Sequence, residues 1–215
     1  MPESHAIALL VDYFETYRRD QDIDAFRRSV QARYTEGTLG RLLQLGEPQA
    51  RRAAVLALGL IGTMRSNAAV AWALRDADPI VRDLAGNALW AIWFRADSPE
   101  NNATLEEVHD LNNRGRHRAA EALADRLIDR APDFAEAYNQ RAIARFGLAR
   151  YADSAADCRR VLERNPYHFG ALSGLAQCDL QLGHRDEALK TFRRALRLQP
   201  FNQGLRRAVA VLEGE

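Results

Sequence analysis

The chain has 215 residues and a formal net charge of +1, with 47% hydrophobic and 27% charged residues. This balance is ordinary for a folded protein and argues against a dedicated nucleic-acid binder, which needs an excess of positive charge. The best early candidate for a membrane span or secretion signal, AIALLV at 6–11, is too short and is followed at once by Asp12. We therefore expect a cytoplasmic protein without a membrane anchor.

The first 34 residues predict two helices. The segments IALLVDYFETY and IDAFRRSVQARY place apolar residues three or four positions apart, which is the spacing of one helix face. The pair is less regular than the segments that follow. We interpret it as the cap at the start of a stack of helices.

A repeat with a period of 31 residues comes next. The segment EPQARRAAVLALGLIG at 47–62 aligns with DPIVRDLAGNALWAIW at 78–93, and the shared apolar positions have helical spacing. Each copy starts with an acidic residue and a proline, which is typical of a helix start. Upstream segments pair in the same register, so each unit has two helices. The region 36–96 resembles short HEAT-like repeats of the kind that bilin lyases contain.

The segment RADSPENN at 95–102 joins this region to the rest of the chain. Ser98 followed by Pro99 predicts a new helix start rather than a long linker. We expect one all-α superhelix, a right-handed solenoid of helical hairpins, divided into residues 1–97 and 98–215.

Three tryptophans lie near the end of the first part. Trp90 and Trp93 stand where the preceding repeat has Gly59 and Gly62, and Trp72 lies on the first helix of that unit. The rings either fill a junction between the two kinds of repeat or form an aromatic anchor site for a partner. The sequence favours the junction and leaves the anchor site open.

The second part repeats every 34 residues. Three prolines mark the interval: Pro132, Pro166 and Pro200. Windows that end two residues after each proline cover 101–134, 135–168 and 169–202. In the third window two apolar helical segments flank Gly183, where a tight turn is needed. The windows resemble tetratricopeptide repeats, and residues 203–213 resemble the polar-faced helix that caps such a stack.

The match to this family is strongest in the third window and weakest in the first. One position of the first helix departs from the family pattern in every window. Where the family usually has tyrosine, this chain has Leu111, Arg145 and Asp179.

The chain carries no recognised catalytic motif: it lacks a glycine-rich phosphate loop, a nucleophile elbow and a paired metal-binding motif. Packing is the favoured role of two histidines, because His117 stands where the repeat normally has an aromatic residue and His168 follows a proline turn. Cys158 and Cys178 face the core in the repeat frame and have no metal-type spacing. We therefore predict a non-catalytic protein with reduced cysteines and without a metal or cofactor.

The tetratricopeptide resemblance implies a concave wall made by the first helices. Here the wall positions are rich in amides, which offer both donors and acceptors to the backbone of an extended peptide. The predicted wall comprises Asn102, Leu105, His109, Asn112, Glu136, Asn139, Gln140, Ile143, Phe146, Gly170, Ser173, Gly174, Gln177 and Gln181. We predict that this groove binds another protein.

Some tetratricopeptide domains clamp the terminal carboxylate of heat-shock chaperones with Lys, Asn and Arg at set wall positions. The corresponding positions of this chain lack lysine and arginine: Leu105, His109, Gln140, Gly170 and Gly174. The comparison argues against a chaperone tail as the partner.

An alternative surface is formed by arginines on the second helices and the capping helix. They recur with the repeat period at Arg159, Arg160, Arg193, Arg194, Arg197, Arg206 and Arg207. Interleaved acidic residues favour an ordinary solvated face. The alternative hypothesis is an adaptor that binds RNA or an acidic partner, whose affinity would fall steeply with salt.

Overall fold

The computed structural model describes residues 2–214, with side chains from Ile7 onward. Within this range the chain forms thirteen α-helices, one turn of 3-10 helix and no strand, so the predicted all-α class is confirmed. No helix in the described range is long and apolar enough to cross a membrane. The chain separates into two compact units, the first ending at Trp93 and the second beginning at Phe94.

Six helices begin in the first unit: α1 (Pro2–Asp20), α2 (Ile23–Gln31), α3 (Glu36–Leu45), α4 (Pro48–Ile61), α5 (Asn67–Ala73) and α6 (Pro79–Phe94). The prolines that begin α4 and α6 are those that the sequence marks as helix starts. Helices α1 and α2 pack against each other and against α4.

The core of the first unit contains the apolar face predicted for α4. The fully buried side chains of α4 are Ala50, Ala53, Ala54, Val55, Ala57 and Leu58. Small residues on this face let neighbouring helices approach closely. At Gly59, for example, a Cβ would lie 3.1 Å from the Cβ of Ala88 on α6.

The three tryptophans occupy different environments. Trp93 is 2% exposed, and its Nε1 donates a 2.8 Å hydrogen bond to Oδ1 of Asn67. Trp90 is half-buried and meets Trp93 edge to face, with ring centroids 5.1 Å apart. Trp72 is 57% exposed. Trp93 is therefore a core residue, whereas Trp72 belongs to the surface.

The second unit contains the helices α7 (Pro99–Asn113), α8 (His117–Arg130), α9 (Ala135–Gly147), α10 (Tyr151–Arg164), α11 (Phe169–Gln181), α12 (Arg185–Leu198) and α13 (Gln203–Glu213). Each helix packs on the next along the chain, and α7 and α11 also pack on α9. Ser98 caps α7 as predicted, because its side chain accepts a hydrogen bond from the N–H of Asn101.

The turn inside each repeat uses one residue with left-handed backbone. Gly115 (φ 69°) and Gly183 (φ 79°) fill this position in the first and third repeats. The second repeat has Ala149 there, with φ 59°. An alanine in this region costs roughly 1–2 kcal/mol because its Cβ crowds the following carbonyl oxygen.

Candidate protein-interaction surface

The first helices α7, α9 and α11 carry the predicted wall, but part of that wall is not on the surface. Five of its residues are buried: Leu105 (0% exposed), Asn112 (7%), Glu136 (1%), Asn139 (4%) and Gln140 (1%). These five predicted wall residues are packed inside the unit rather than exposed to a partner, because α7 and α11 both pack on α9. The other wall residues are half-buried or exposed.

The buried polar residues form one hydrogen-bonded network around the carboxylate of Glu136. Its Oε1 accepts hydrogen bonds from Nδ2 of Asn139 at 2.8 Å and Nε2 of Gln140 at 2.9 Å. Its Oε2 lies 2.8 Å from Nε2 of His168. Nδ1 of His168 accepts the N–H of Ala171 at 3.0 Å, so the ring proton is on Nε2 and is donated to Glu136.

The network extends to the first repeat through Asn112. Nδ2 of Asn112 lies 2.9 Å from the carbonyl oxygen and 3.2 Å from Oε1 of Gln140. Side chains from α7 and α9, together with His168 at the start of α11, are thus joined without access to solvent. The network holds three repeats together and cannot contact a ligand in this arrangement.

The exposed wall residues lie on α9 and α11. Ile143 is 42% exposed and Leu180 is 39% exposed. Gln177 and Gln181 are exposed, while Phe146 and Ser173 are half-buried. We call these six residues the α9–α11 strip. Leu180 is a member that the sequence analysis missed, although it stands one repeat after Phe146.

Four further wall residues are half-buried, and one of them, Asn102, is hydrogen-bonded through its side chain to the backbone of Asp97. His109 meets Phe94 edge to face at 5.2 Å and is hydrogen-bonded to Asn113. A Cβ on Gly174 would lie 3.3 Å from Sγ of Cys158, so this glycine makes room for a neighbouring helix. Gly170 is also half-buried. None of the four adds a free polar group to the strip.

Arg145, which stands where the family usually has tyrosine, belongs to a cluster of charged residues between α8, α9 and α10. Arg141 binds Asp157 through two hydrogen bonds of 2.9 and 2.7 Å, and Arg145 reaches Asp157 and Glu121 at 2.8 Å each. Burial disfavours the charge on Arg141, but its bonds to Asp157 and Asp125 outweigh that effect and raise its pKa. The cluster stabilises the repeat rather than presenting charge to a partner.

The arginines of the alternative surface mostly contact their own chain. Arg193 donates to Glu213 at 2.9 Å, and Arg159 lies 3.6 Å from Asp179. Arg160 lies over the ring of Tyr138, and Arg194 and Arg206 reach backbone carbonyls. Arg197 and Arg207 are exposed. A ligand would therefore compete with existing contacts at most of these arginines.

Both cysteines are free and buried, as the repeat frame predicts. Burial raises the pKa of the Cys158 and Cys178 thiols, so both stay protonated near neutral pH. Sγ of Cys178 lies 3.3 Å from the hydroxyl oxygen of Ser154.

We expect neither thiol to react with dithiobis-nitrobenzoate at about pH 8 while the protein is folded, because the thiolate is the reactive form. Guanidinium should release both thiols. The absorbance of the released thiol anion measures the reaction, and rapid reaction of the native protein would contradict the burial of this pair.

Comparison with protein families matches the two repeat types to successive parts of the chain. A model of HEAT repeats matches residues 36–137, and a model of the tetratricopeptide repeat matches residues 145–212. The HEAT match extends over 101–134, which the sequence analysis assigned to the first tetratricopeptide unit.

Known tetratricopeptide-repeat proteins are similar to this chain. A TPR repeat-containing protein of Rhizobium etli is 30% identical over 138 residues, which cover 64% of this chain and 68% of the relative. The first TPR domain of Spaghetti (RPAP3), bound to the HSP90 peptide SRMEEVD, gives a TM-score of 0.53 at 23% identity, covering 55% of this chain and 94% of that one. The TPR2AB domain of yeast Sti1, in complex with HSP90, gives 0.51 at 16% identity and covers 98% of both chains.

Proposed function

Because the chain belongs to the tetratricopeptide-repeat proteins and carries HEAT repeats before them, we propose that it is a non-catalytic scaffold that binds an extended segment of another protein along the α9–α11 strip. The observation that carries the proposal is the exposure of Ile143 on α9 and of Gln177, Leu180 and Gln181 on α11, which packs on α9. Apolar side chains supply affinity, and Gln177 and Gln181 offer donors and acceptors to a peptide backbone.

The buried network supports a structural rather than a catalytic role for its titratable groups. The side chains of His168 and Glu136 both have 0% exposure. A substrate cannot reach them without opening the packing between repeats. Both side chains are hydrogen-bonded within the chain, so their role is to stabilise the packing of the helices that carry the strip.

Of the two solved neighbours described above, one is bound to an HSP90 peptide and the other is in a complex with pHSP90, but this chain differs at the wall. The positions that would hold a terminal carboxylate have no lysine or arginine, and two of them, Leu105 and Gln140, are buried. We propose a partner segment that is recognised through apolar side chains and backbone, not through a terminal carboxylate.

Replacement of Ile143 and Leu180 by serine in one variant should weaken partner binding roughly tenfold or more, because both apolar contacts are lost. The partner is first captured with the full chain and identified by mass spectrometry, and binding is then measured by titration calorimetry. The matched control is the double variant Arg159→Ala with Arg193→Ala, which should bind the partner as tightly as the native protein does. Normal binding by the strip variant with loss in the arginine variant would reject the proposal in favour of an RNA- or acid-binding adaptor.

A further inference from the structure

A groove lies between α3 and α5 of the first unit, on the HEAT half of the chain. It consists of two adjoining cavities of about 590 and 520 Å³ that share Gln44 and Ala69. We call it the α3–α5 groove. Its volume is of the size that takes several side chains of a bound segment.

Small residues keep the groove open along α3. Gly37 and Gly40 line one cavity, and a Cβ on Gly40 would meet no atom within 4 Å. Ala69 and Ala73 line the facing side on α5. The backbone of a bound segment therefore has room to approach both helices.

The residues that line the two cavities carry a net charge of +1, from Arg41, Arg51 and Arg65 against Glu36 and Asp76. Glu36 is fully engaged, because its carboxylate accepts hydrogen bonds from Thr63 and Ser66. Burial tends to raise the pKa of Glu36, but these hydrogen bonds and the charge of Arg65 lower it overall. Arg51 and Asp76 neutralise each other through two hydrogen bonds of 2.7 and 2.9 Å.

Two arginines of the groove remain available. Arg41 and Arg65 line the cavity on the α3 side, and both are exposed. Among the described residues neither forms an ion pair with a carboxylate, whereas Arg51 does. They can therefore bind carboxylates of a partner without breaking contacts within the chain.

The other end of the groove carries an exposed aromatic ring. Trp72 lines the larger cavity and is 57% exposed. The guanidinium carbon of Arg75 lies 4.4 Å from the ring centroid, an arrangement that restrains the ring through a cation–π interaction. Tryptophan is one of the residue types enriched at the hot spots of protein interfaces.

We propose that the α3–α5 groove binds an extended acidic segment of a partner protein, which places carboxylates against Arg41 and Arg65 and an apolar side chain on Trp72. This site is separate from the α9–α11 strip. A chain with both sites can hold two segments at once, either from one partner or from two.

The first test selects peptides from a displayed library of random sequences, about twelve residues long, on the intact protein. The selected peptides should combine two or more aspartates or glutamates with a leucine, phenylalanine or similar apolar residue. The same library selected on a variant with Arg41→Ala and Arg65→Ala should lose this class. Because the α9–α11 strip can select neutral peptides of its own, the proposal is overturned if the native protein selects no acidic class or if the arginine variant retains that class.

The second test titrates one selected peptide, made by synthesis, while following tryptophan emission. Binding should change the emission of the native protein and leave that of Trp72→Phe unchanged. The Arg41→Ala and Arg65→Ala variant should bind at least roughly tenfold more weakly. A charge-matched control, Arg118→Ala with Arg197→Ala, should bind like the native protein.

Three results would reject the proposal. One is equal affinity of the groove variant and the charge-matched control. Another is a mixed-sequence RNA oligonucleotide that displaces the acidic peptide and binds the Arg41→Ala and Arg65→Ala variant more weakly, since nucleic acid would then be the occupant of the groove. The third is a concentration-dependent dimer, detected by analytical ultracentrifugation, that Trp72→Ala abolishes, since a second copy would then be the occupant of the groove.

Discussion

Trp93→Ala is expected to lower the free energy of unfolding by about 3–5 kcal/mol. The ring is 2% exposed, packs edge to face on Trp90, and donates a hydrogen bond to Asn67. Truncation therefore leaves a large cavity and removes this buried hydrogen bond. Urea denaturation followed by far-ultraviolet circular dichroism measures the loss.

The matched control for this prediction is Trp72→Ala, because the same side chain is removed from a position that is 57% exposed. Its expected cost is less than about 1 kcal/mol, mostly from the lost contact with Arg75. Equal costs for the two substitutions would show that Trp93 is not part of a packed core.

The sequence predicts most of the helices because the apolar spacing and the helix boundaries agree with each other. Pro48 and Pro79 begin α4 and α6, and Ser98 caps α7. Helix-start signals of this kind are local, so each helix boundary can be recognised from a short segment of the sequence. The 34-residue period adds the turn positions, including the left-handed one that Ala149 occupies.

The polar wall is harder to predict because burial depends on partners far away in sequence. The repeat frame gives the position of Glu136 on the first helix of its repeat, but not its neighbours. His168 comes from 32 residues later, and Asn112 approaches Gln140 from 28 residues earlier. Because those partners are present, the carboxylate of Glu136 can be buried. The equivalent position of the next repeat holds Gly170, which has no side chain to bury. A partial signal was available, since Glu136 stands where the next repeat has Gly170 and His168 stands where the preceding repeat has Phe134.

The α3–α5 groove depends on which arginines are already paired, and a sequence does not show this. Arg41, Arg51 and Arg65 look alike in the chain. Only the structure shows that Arg51 is bound to Asp76 while the other two have no carboxylate partner among the described residues. The exposure of Trp72 likewise depends on how α5 packs, because its helical spacing alone is compatible with either face.

Glu136→Gln is expected to lower the free energy of unfolding by about 2–3 kcal/mol, although glutamine has nearly the same shape as glutamate. The carboxylate accepts from three donors, on Asn139, Gln140 and His168. A glutamine amide supplies one acceptor and one NH₂ group. If its oxygen faces the two amides, its NH₂ group faces the Nε2–H of His168, and two donors are opposed.

His168 cannot relieve this conflict by moving its proton to Nδ1, because Nδ1 accepts the N–H of Ala171 at the start of α11. Either one donor remains unpaired in the core or the helix start loses its cap. The control is Glu163→Gln on α10, an exposed position that should change stability by less than about 0.5 kcal/mol. Because the network is buried, the difference between the two variants should persist when the urea denaturation is repeated at high salt. Equal stability of the two variants would mean that Glu136 does not accept the three hydrogen bonds that hold these repeats together.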